Sequence, residues 1–496
     1  MQNSTLHLPG FHLATLRRKP RSAIQKVADE RSRLRRHSIT QLGDCFSRFI
    51  PLKELGHGSS GAFSRRRLYS LTNTFWAFFS QVLDADGGCR EVVRKVQAFA
   101  AERSMPTPSA STSAYCQARN KLEQTALEAI LAHTSRVLEQ RGRQNLWKGH
   151  RVVVVDGTGV SMPDTPANQA VWPQSARQKP GCGFPQAMIC ACFCLQSGAL
   201  LSYRVGNKKS AELPLLRQQL DSFEAGDVFL GDKGFCSYFD VWNLQQRGVD
   251  TVVTLARRTP VEAASAIKVL GRDDLLIQWP KPKWNKALSY SHEQWLALPE
   301  QLTLRQIKIS VQTPGFRVKT FYIVTTLIDA RAYSASELAD LYYQRWDVEL
   351  FFRDIKTTMG MDILRCRTPA MVKKEIQMHL IAYNAIRLLM FDAAEKIAKP
   401  PRRISFKATI QALRQWEPLL NRSGLKRQER ERLINSLYEA IAANLIPERP
   451  GRREPRCIKR RKKSFQLLTA PRHQMKECAH RSKYKARASL TYTKRR

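Results

Sequence analysis

Apolar and polar positions along this chain change their period several times, and each change marks an element. SSGAFSRRRLYSLTNTFWAFFSQVL and CREVVRKVQAFAAE repeat apolar residues at helical spacing. SASTSAYCQARNKL opens with polar capping residues and leads into a long helix ending near residue 139. The period breaks at RVVVVDGTGVSMPD, where four consecutive valines suit a buried central strand. That strand is expected to stop at Asp156, before Gly157, Thr158 and Gly159. FPQAMICACFCLQSGALLSYRVG reads as a two-stranded hairpin turning at SG. SAELPLLRQQLDSF reads as a helix with Pro214 in its first turn. DVFLGDKGFCSYFDVWNLQQRGVDTVVTLAR gives a strand ending at Asp232, a helix and another strand. The order is that of a mixed α/β sheet with carboxylates at the C-terminal ends of two strands.

Residues 259–317 interrupt this layout with Trp, Pro, Lys and short β-like pieces, an inserted β-rich subdomain. FRVKTFYIVTTLID closes it or returns to the main sheet. SASELADLY supplies a Ser334 cap with Glu337 three residues on. Then YYQRWDVELFFRDIKTTMGM, 342–361, reads as one helix. Tyr342, Arg345, Glu349 and Lys356 share one side, while Leu341, Val348, Phe351, Phe352 and Ile355 face a core. TPAMVKKEIQMHLIAYNAIRLLMFDAAEKIA is a long amphipathic helix, and two more helices follow. The expected layout is a basic arm at 1–58 and a helical domain at 59–150. A core at 151–258 and 318–395 is split by the insertion, followed by a helical region at 396–446 and a basic extended tail at 447–496.

Charge narrows the possible partners. Against 42 acidic residues stand 82 Lys and Arg, a formal +40, which implies a polyanion. Nucleic acid is the leading candidate. Arg65, Arg66 and Arg67 on the N-terminal helices, and Arg460, Arg461, Lys462 and Lys463 in the tail, are candidate contacts. The tail carries 18 Lys and Arg against three Glu and is expected to gain order on phosphates. No apolar run approaches the length of a spanning helix, and the first residues lack a signal peptide's apolar centre, so a cytoplasmic protein without a membrane is expected. Eleven Cys stand without CxxC pairs. Cys190, Cys192 and Cys194 alternate on a strand, too close along one backbone for easy tetrahedral zinc, and read as buried hydrophobes.

Asp156, Asp232 and Glu349 are the constellation that carries chemistry, two at strand ends and one on a helix. Such oxygen ligands suit Mg²⁺ or Mn²⁺, with water and substrate phosphate in the remaining positions. Two ions a few ångströms apart serve phosphoryl transfer. Arg345 and Lys356 then act as phosphate clamps. Turn capping is an equal alternative for either Asp taken alone, since DG and GDKG are turn sequences.

At these residues the chain resembles DDE-type transposases of bacterial insertion sequences, the group with a Tyr-x2-Arg-x3-Glu-x6-Lys signature. YYQRWDVELFFRDIK matches it with Tyr342, Arg345, Glu349 and Lys356. VVVVDGT resembles the first catalytic block at Asp156 and FLGDKGFCS the second at Asp232. PGRREPRCIKRRKKSFQLLTAPR resembles the family's C-terminal end. The resemblance implies a ribonuclease-H-like core with a β-rich insertion. It also implies two Mg²⁺ held by the three carboxylates, with Mn²⁺ able to substitute. Double-stranded DNA follows as partner, both terminal inverted repeats and target, in a homodimeric synaptic complex. Tyr342, Arg345 and Lys356 take phosphate roles. Trp279, Trp284 and Trp295 are candidates for stacking on a flipped base, each with core packing as the alternative. Whether the ends pass through a hairpin stays open. A catalytically silent DNA-binding regulator of the same fold is the second reading.

Overall fold

Four valines in a row, Val152–Val155, need apolar surroundings on both sides of a strand, and the fold provides them. In the computed structural model, residues 42–56, 68–207, 212–255, 260–285, 290–311, 319–447 and 468–475 are described. Val152 and Val154 pack into one core with the helices. Val153 and Val155 pack into a second core with Leu215, Phe239 and the insertion's Trp279. The sheet lies between these two cores. Arg65, Arg66, Arg67, Arg460, Arg461, Lys462 and Lys463 lie outside the described residues.

The helices before the sheet are α1 (Leu71–Leu83), α2 (Cys89–Glu102), α3 (Ser113–Asn120) and α4 (Gln124–Gly142). The single long helix expected to run to residue 139 is therefore two, parted at residues 121–123. The strands are β1 (Val152–Ser161), β2 (Gln186–Cys194) and β3 (Leu200–Asn207), then α5 (Glu212–Arg217), β4 (Val228–Gly231), α6 (Tyr238–Gln246) and β5 (Asp250–Thr254). The sheet continues with β6 (Lys268–Gly271), β7 (Asp274–Pro280), β8 (Gln301–Val311) and β9 (Lys319–Thr325).

Among the described residues, nine strands form one sheet in the order β3-β2-β1-β4-β5-β9-β8-β7-β6. β1, β4 and β5 run parallel, and β2 is antiparallel to β1 and β3. This five-stranded half is the ribonuclease-H-like arrangement. The β-rich insertion is no separate sheet: β9 pairs with β5 on one side and β8 on the other. FRVKTFYIVTTLID thus does both things open to it, closing the insertion and rejoining the main sheet.

Beyond the sheet come α7 (Ala335–Tyr343), α8 (Asp347–Arg353), α9 (Pro369–Glu395), α10 (Phe406–Leu420) and α11 (Arg427–Ala442). The expected Ser334–Glu337 capping box is formed at the start of α7. α9 differs from the expected amphipathic helix: every residue from Lys374 to Ala394 is buried. It packs against α1, α4, α10 and α11, so no face is left for solvent. Its polar side chains have internal roles. Glu375 accepts from the backbone N–H groups of Arg365 (3.0 Å) and Cys366 (2.9 Å), and Asn384 donates to Leu200 O (3.1 Å). The three alternating cysteines are all buried, but Cys190 and Cys192 join one core and Cys194 the other. Among the described residues, no helix is long and apolar enough to cross a membrane.

Candidate active site

Asp156 does not end its strand. β1 continues to Ser161 because antiparallel pairing with β2 holds it as far as Ser161↔Gln186. What stops near Asp156 is the parallel pairing with β4, whose last partners are Val154↔Leu230. Two steps onward along each strand lie Asp156 and Asp232. Neighbouring strands are about 4.8 Å apart, so parallel register delivers the two aspartates side by side where β4 leaves the sheet. Each uses Oδ1 locally: Gly157 N–H donates to Asp156 (2.8 Å) and Gly234 N–H to Asp232 (2.7 Å). The turn-capping role is real for Asp232, which caps the 3₁₀ turn Lys233–Phe235, whereas Asp156 lies within a paired strand.

Glu349 lies on the helical side of the sheet, near enough for its charge to act on Asp156. Alternation along β1 puts Asp156 on the face of Val152 and Val154, which pack in the same core as Val348, Phe351 and Phe352. Burial pushes the Asp156 carboxyl above the usual carboxylate range. The Gly157 N–H pulls it back, the Asp232 charge raises it again, Arg345 lowers it, and Glu349 raises it. Asp156 is thus the electrostatic centre of the group.

The segment carrying Glu349 is not one regular helix. α7 ends at Tyr343, a 3₁₀ turn spans Gln344–Trp346, α8 carries Glu349, and a π turn spans Asp354–Thr358. The four signature residues therefore do not share one face. Tyr342 is buried, its hydroxyl hydrogen-bonded to Thr254 at the end of β5. Arg345 is buried, its guanidinium carbon 5.8 Å and 5.3 Å from the ring centres of Tyr342 and Trp346, and its Nε has no hydrogen-bond partner among the described residues. Glu349 is exposed and Lys356 half-buried in the π turn. Leu341, Val348, Phe351, Phe352 and Ile355 are all in the core, as expected.

The three tryptophans separate. Trp279 is 8% exposed and packs edge-on to Tyr238, so as a stacking candidate it is corrected to a core residue. Trp295 donates to Pro282 O (2.8 Å) and is covered by the Lys281 ammonium, 4.3 Å from its ring centre, and by a parallel His292. Trp284 is half-buried and meets His292 edge-on.

The sequence reading passes over Glu212, at the start of α5. A Cβ built on Gly157 would stand 2.0 Å from Glu212 Oε1, and one on Gly234 3.7 Å from its Oε2. Burial raises the Glu212 carboxyl, and the charges of Asp156 and Asp232 raise it further. The available signal was glycine: one directly follows Asp156 and another stands two residues past Asp232.

Among the described residues, no three His, Cys, Asp or Glu side chains form a ready metal cage. A Mg²⁺-sized ion needs none, since it keeps several waters and binds through one or two carboxylates plus substrate phosphate. The donors here are hard oxygens, the charges of Asp232 and Glu349 raise the proton affinity of Asp156, and a bound cation reverses that effect. The residues fit a divalent ion.

Residues 147–385, which include all three acids, match the family described as transposase DDE domain. Over 443 residues the chain is 25% identical to the transposase InsG for insertion sequence element IS4 of Escherichia coli K12, covering 88% of this chain and 95% of that one. Over 72 residues it is 32% identical to the putative transposase InsL for insertion sequence element IS186A of the same strain, covering 14% of this chain and 20% of the relative. A cryo-EM structure of a piggyBac transposase synaptic complex with hairpin DNA covers 84% of this chain and 86% of its own at 12% identity, with a TM-score of 0.38.

Proposed function

We propose that this chain, whose residues 147–385 match the transposase DDE domain family, is a DDE transposase of an insertion sequence that cuts DNA at the terminal inverted repeats of its element and joins the freed ends to target DNA. The observation that carries this reading is the juxtaposition of Asp156 and Asp232 by parallel register, with the Glu349 charge acting on Asp156. Asp156, Asp232 and Glu349 are the residues to hold two Mg²⁺, for which Mn²⁺ can substitute. When bound, the ions supply activation of the attacking oxygen and charge stabilisation of the leaving one.

The chain's own groups do the rest. Arg345, buried beside the acids with an unpartnered Nε, binds a phosphate oxygen. Tyr342 orients that guanidinium through its ring, and Lys356 neutralises a second phosphate. The formal +40 draws in double-stranded DNA, terminal repeats and target alike. A homodimer pairs the two ends. The cut-and-paste route is the one proposed, and a denaturing gel of cleaved ends reads out whether a hairpin forms.

The test uses DNA flanking the gene, searched for short inverted repeats bracketed by a direct duplication. Purified protein is expected to cut those ends in Mg²⁺, and Asp156→Ala, Asp232→Ala and Glu349→Ala to abolish cutting. Wild-type cleavage by Glu349→Ala overturns the reading. Specific end binding by the native protein with no nicking in Mg²⁺ or Mn²⁺ would favour the silent regulator instead.

A further inference from the structure

Three acids serve the proposed chemistry, and a fourth is built into the same place. Glu212 comes from the other side of the sheet. Its helix α5 packs through Leu215 and Leu216 into the core shared with Val153 and Val155, away from the helix of Glu349. Gly157 alternates onto that face. A Cβ there would stand 2.0 Å from Glu212 Oε1, 2.6 Å from its Cδ and 2.8 Å from its Cγ. The carboxylate therefore fills the volume that any side chain at position 157 would take. Its other oxygen faces the turn after Asp232, 3.7 Å from where a Gly234 Cβ would be. Among the described residues, no cation or N–H donor pairs with Glu212.

An acid that merely supports a fold normally has a cation or a backbone donor. This one is lodged between two further carboxylates with neither. We propose that Glu212 is a fourth metal-holding carboxylate, joining Asp156 and Asp232 around one of the two ions, on the side of Asp156 away from Glu349. The proposal rests on the metal-dependent reading above. It explains why glycine follows Asp156: the gap lets an acid from the opposite face through.

The experiment measures Mn²⁺ binding to full-length protein by electron paramagnetic resonance, without DNA and without turnover. Glu212→Gln is expected to weaken one class of Mn²⁺ site at least tenfold and to leave the Glu349-dependent class in place. Gly157→Ala keeps the acid but pushes it aside, and is expected to weaken the same class. The double variant is expected to add little to either. If Glu212→Gln binds Mn²⁺ like the wild type while Asp156→Asn does not, the fourth ligand is refuted and the catalytic reading stands. If Asp156→Asn and Glu349→Gln also bind like the wild type, the metal reading fails and takes this proposal with it. Metal-free melting of Glu212→Gln supplies the second readout: a large drop in Tm would mark a structural acid and overturn the proposal.

Discussion

Asp354 in the π turn is ion-paired with Arg387 of α9 at 2.9 Å, both side chains buried. The guanidinium also donates to the Tyr383 hydroxyl (3.2 Å) and stacks beside Phe351 and Phe406. Burial alone raises the Asp354 carboxyl, and Arg387 opposes that rise. The pair ties the C-terminal end of the Glu349 segment to the long buried helix α9. Arg387→Leu leaves a carboxylate buried without its cation and is expected to cost about 3–5 kcal/mol. Arg387→Leu with Asp354→Leu is expected to recover much of that loss. Urea unfolding of the single and double variants checks both.

His379, also on α9, is buried, with an Nδ1 that has no partner among the described residues, and burial pulls its pKa down to about 3, with Arg365 adding to the effect. The folded-state value lies below the unfolded one, near 6.5. The unfolded chain therefore binds the proton first as pH falls, and stability drains away from about pH 6.5 downward towards 3. Each pH unit in that window costs about 1.4 kcal/mol from this group. His379→Gln is expected to flatten the pH dependence of unfolding between pH 6.5 and 5, measured by denaturant titration at each pH.

At Asp156 the sign is opposite. Its folded-state pKa is raised, first by burial and then by Asp232 and Glu349. The folded chain holds the proton more tightly, so stability falls as pH rises through the carboxylate range, and the penalty is complete at neutral pH. Asp156→Asn should therefore raise Tm without metal at pH 7.5, by about 1–3 °C. The gain should vanish in saturating Mg²⁺, because the ion stabilises only the protein that keeps the Asp156 carboxylate. Calorimetry with and without Mg²⁺ tests the pair of statements.

The tryptophans give a fourth expectation. Trp279→Ala empties part of a core and should cost about 3–5 kcal/mol. Trp284→Ala should leave unfolding nearly unchanged and instead reduce cleavage of terminal-repeat DNA, the outcome for a ring that stacks on an unpaired base. Parallel melting and cleavage assays separate the two.

Much of this was legible in residues 151–258. The valine run is apolar on both faces, the strand–helix alternation sets the crossovers, and together they fix a mixed sheet. Local sequence misled at DGTG, which reads as a turn, because a strand's end depends on its neighbours. β2 keeps pairing past Asp156 while β4 stops. The 3₁₀ and π turns around Glu349 were equally hidden. Helical spacing describes a regular helix, whereas this segment passes through a 3₁₀ and a π turn, the latter tied to Arg387 far along the chain. Glu212 could not be found by motif, since its relation to Asp156 exists only once α5 crosses behind β1.

Thr325 lies opposite Val252 of the catalytic half and opposite Arg305 of the insertion at once. Arg305, wholly buried, grips Asp274 through bonds of 2.8 Å and 2.6 Å and donates to Tyr333 O just ahead of the Glu349 segment. Among the described residues, the inserted strands thus continue the main sheet through an unbroken ladder from β5 to β9 to β8, braced by a buried ion pair. A duplex bound across both halves, as proposed, would meet one continuous sheet, and the bending needed to present a scissile bond would fall on the nucleic acid.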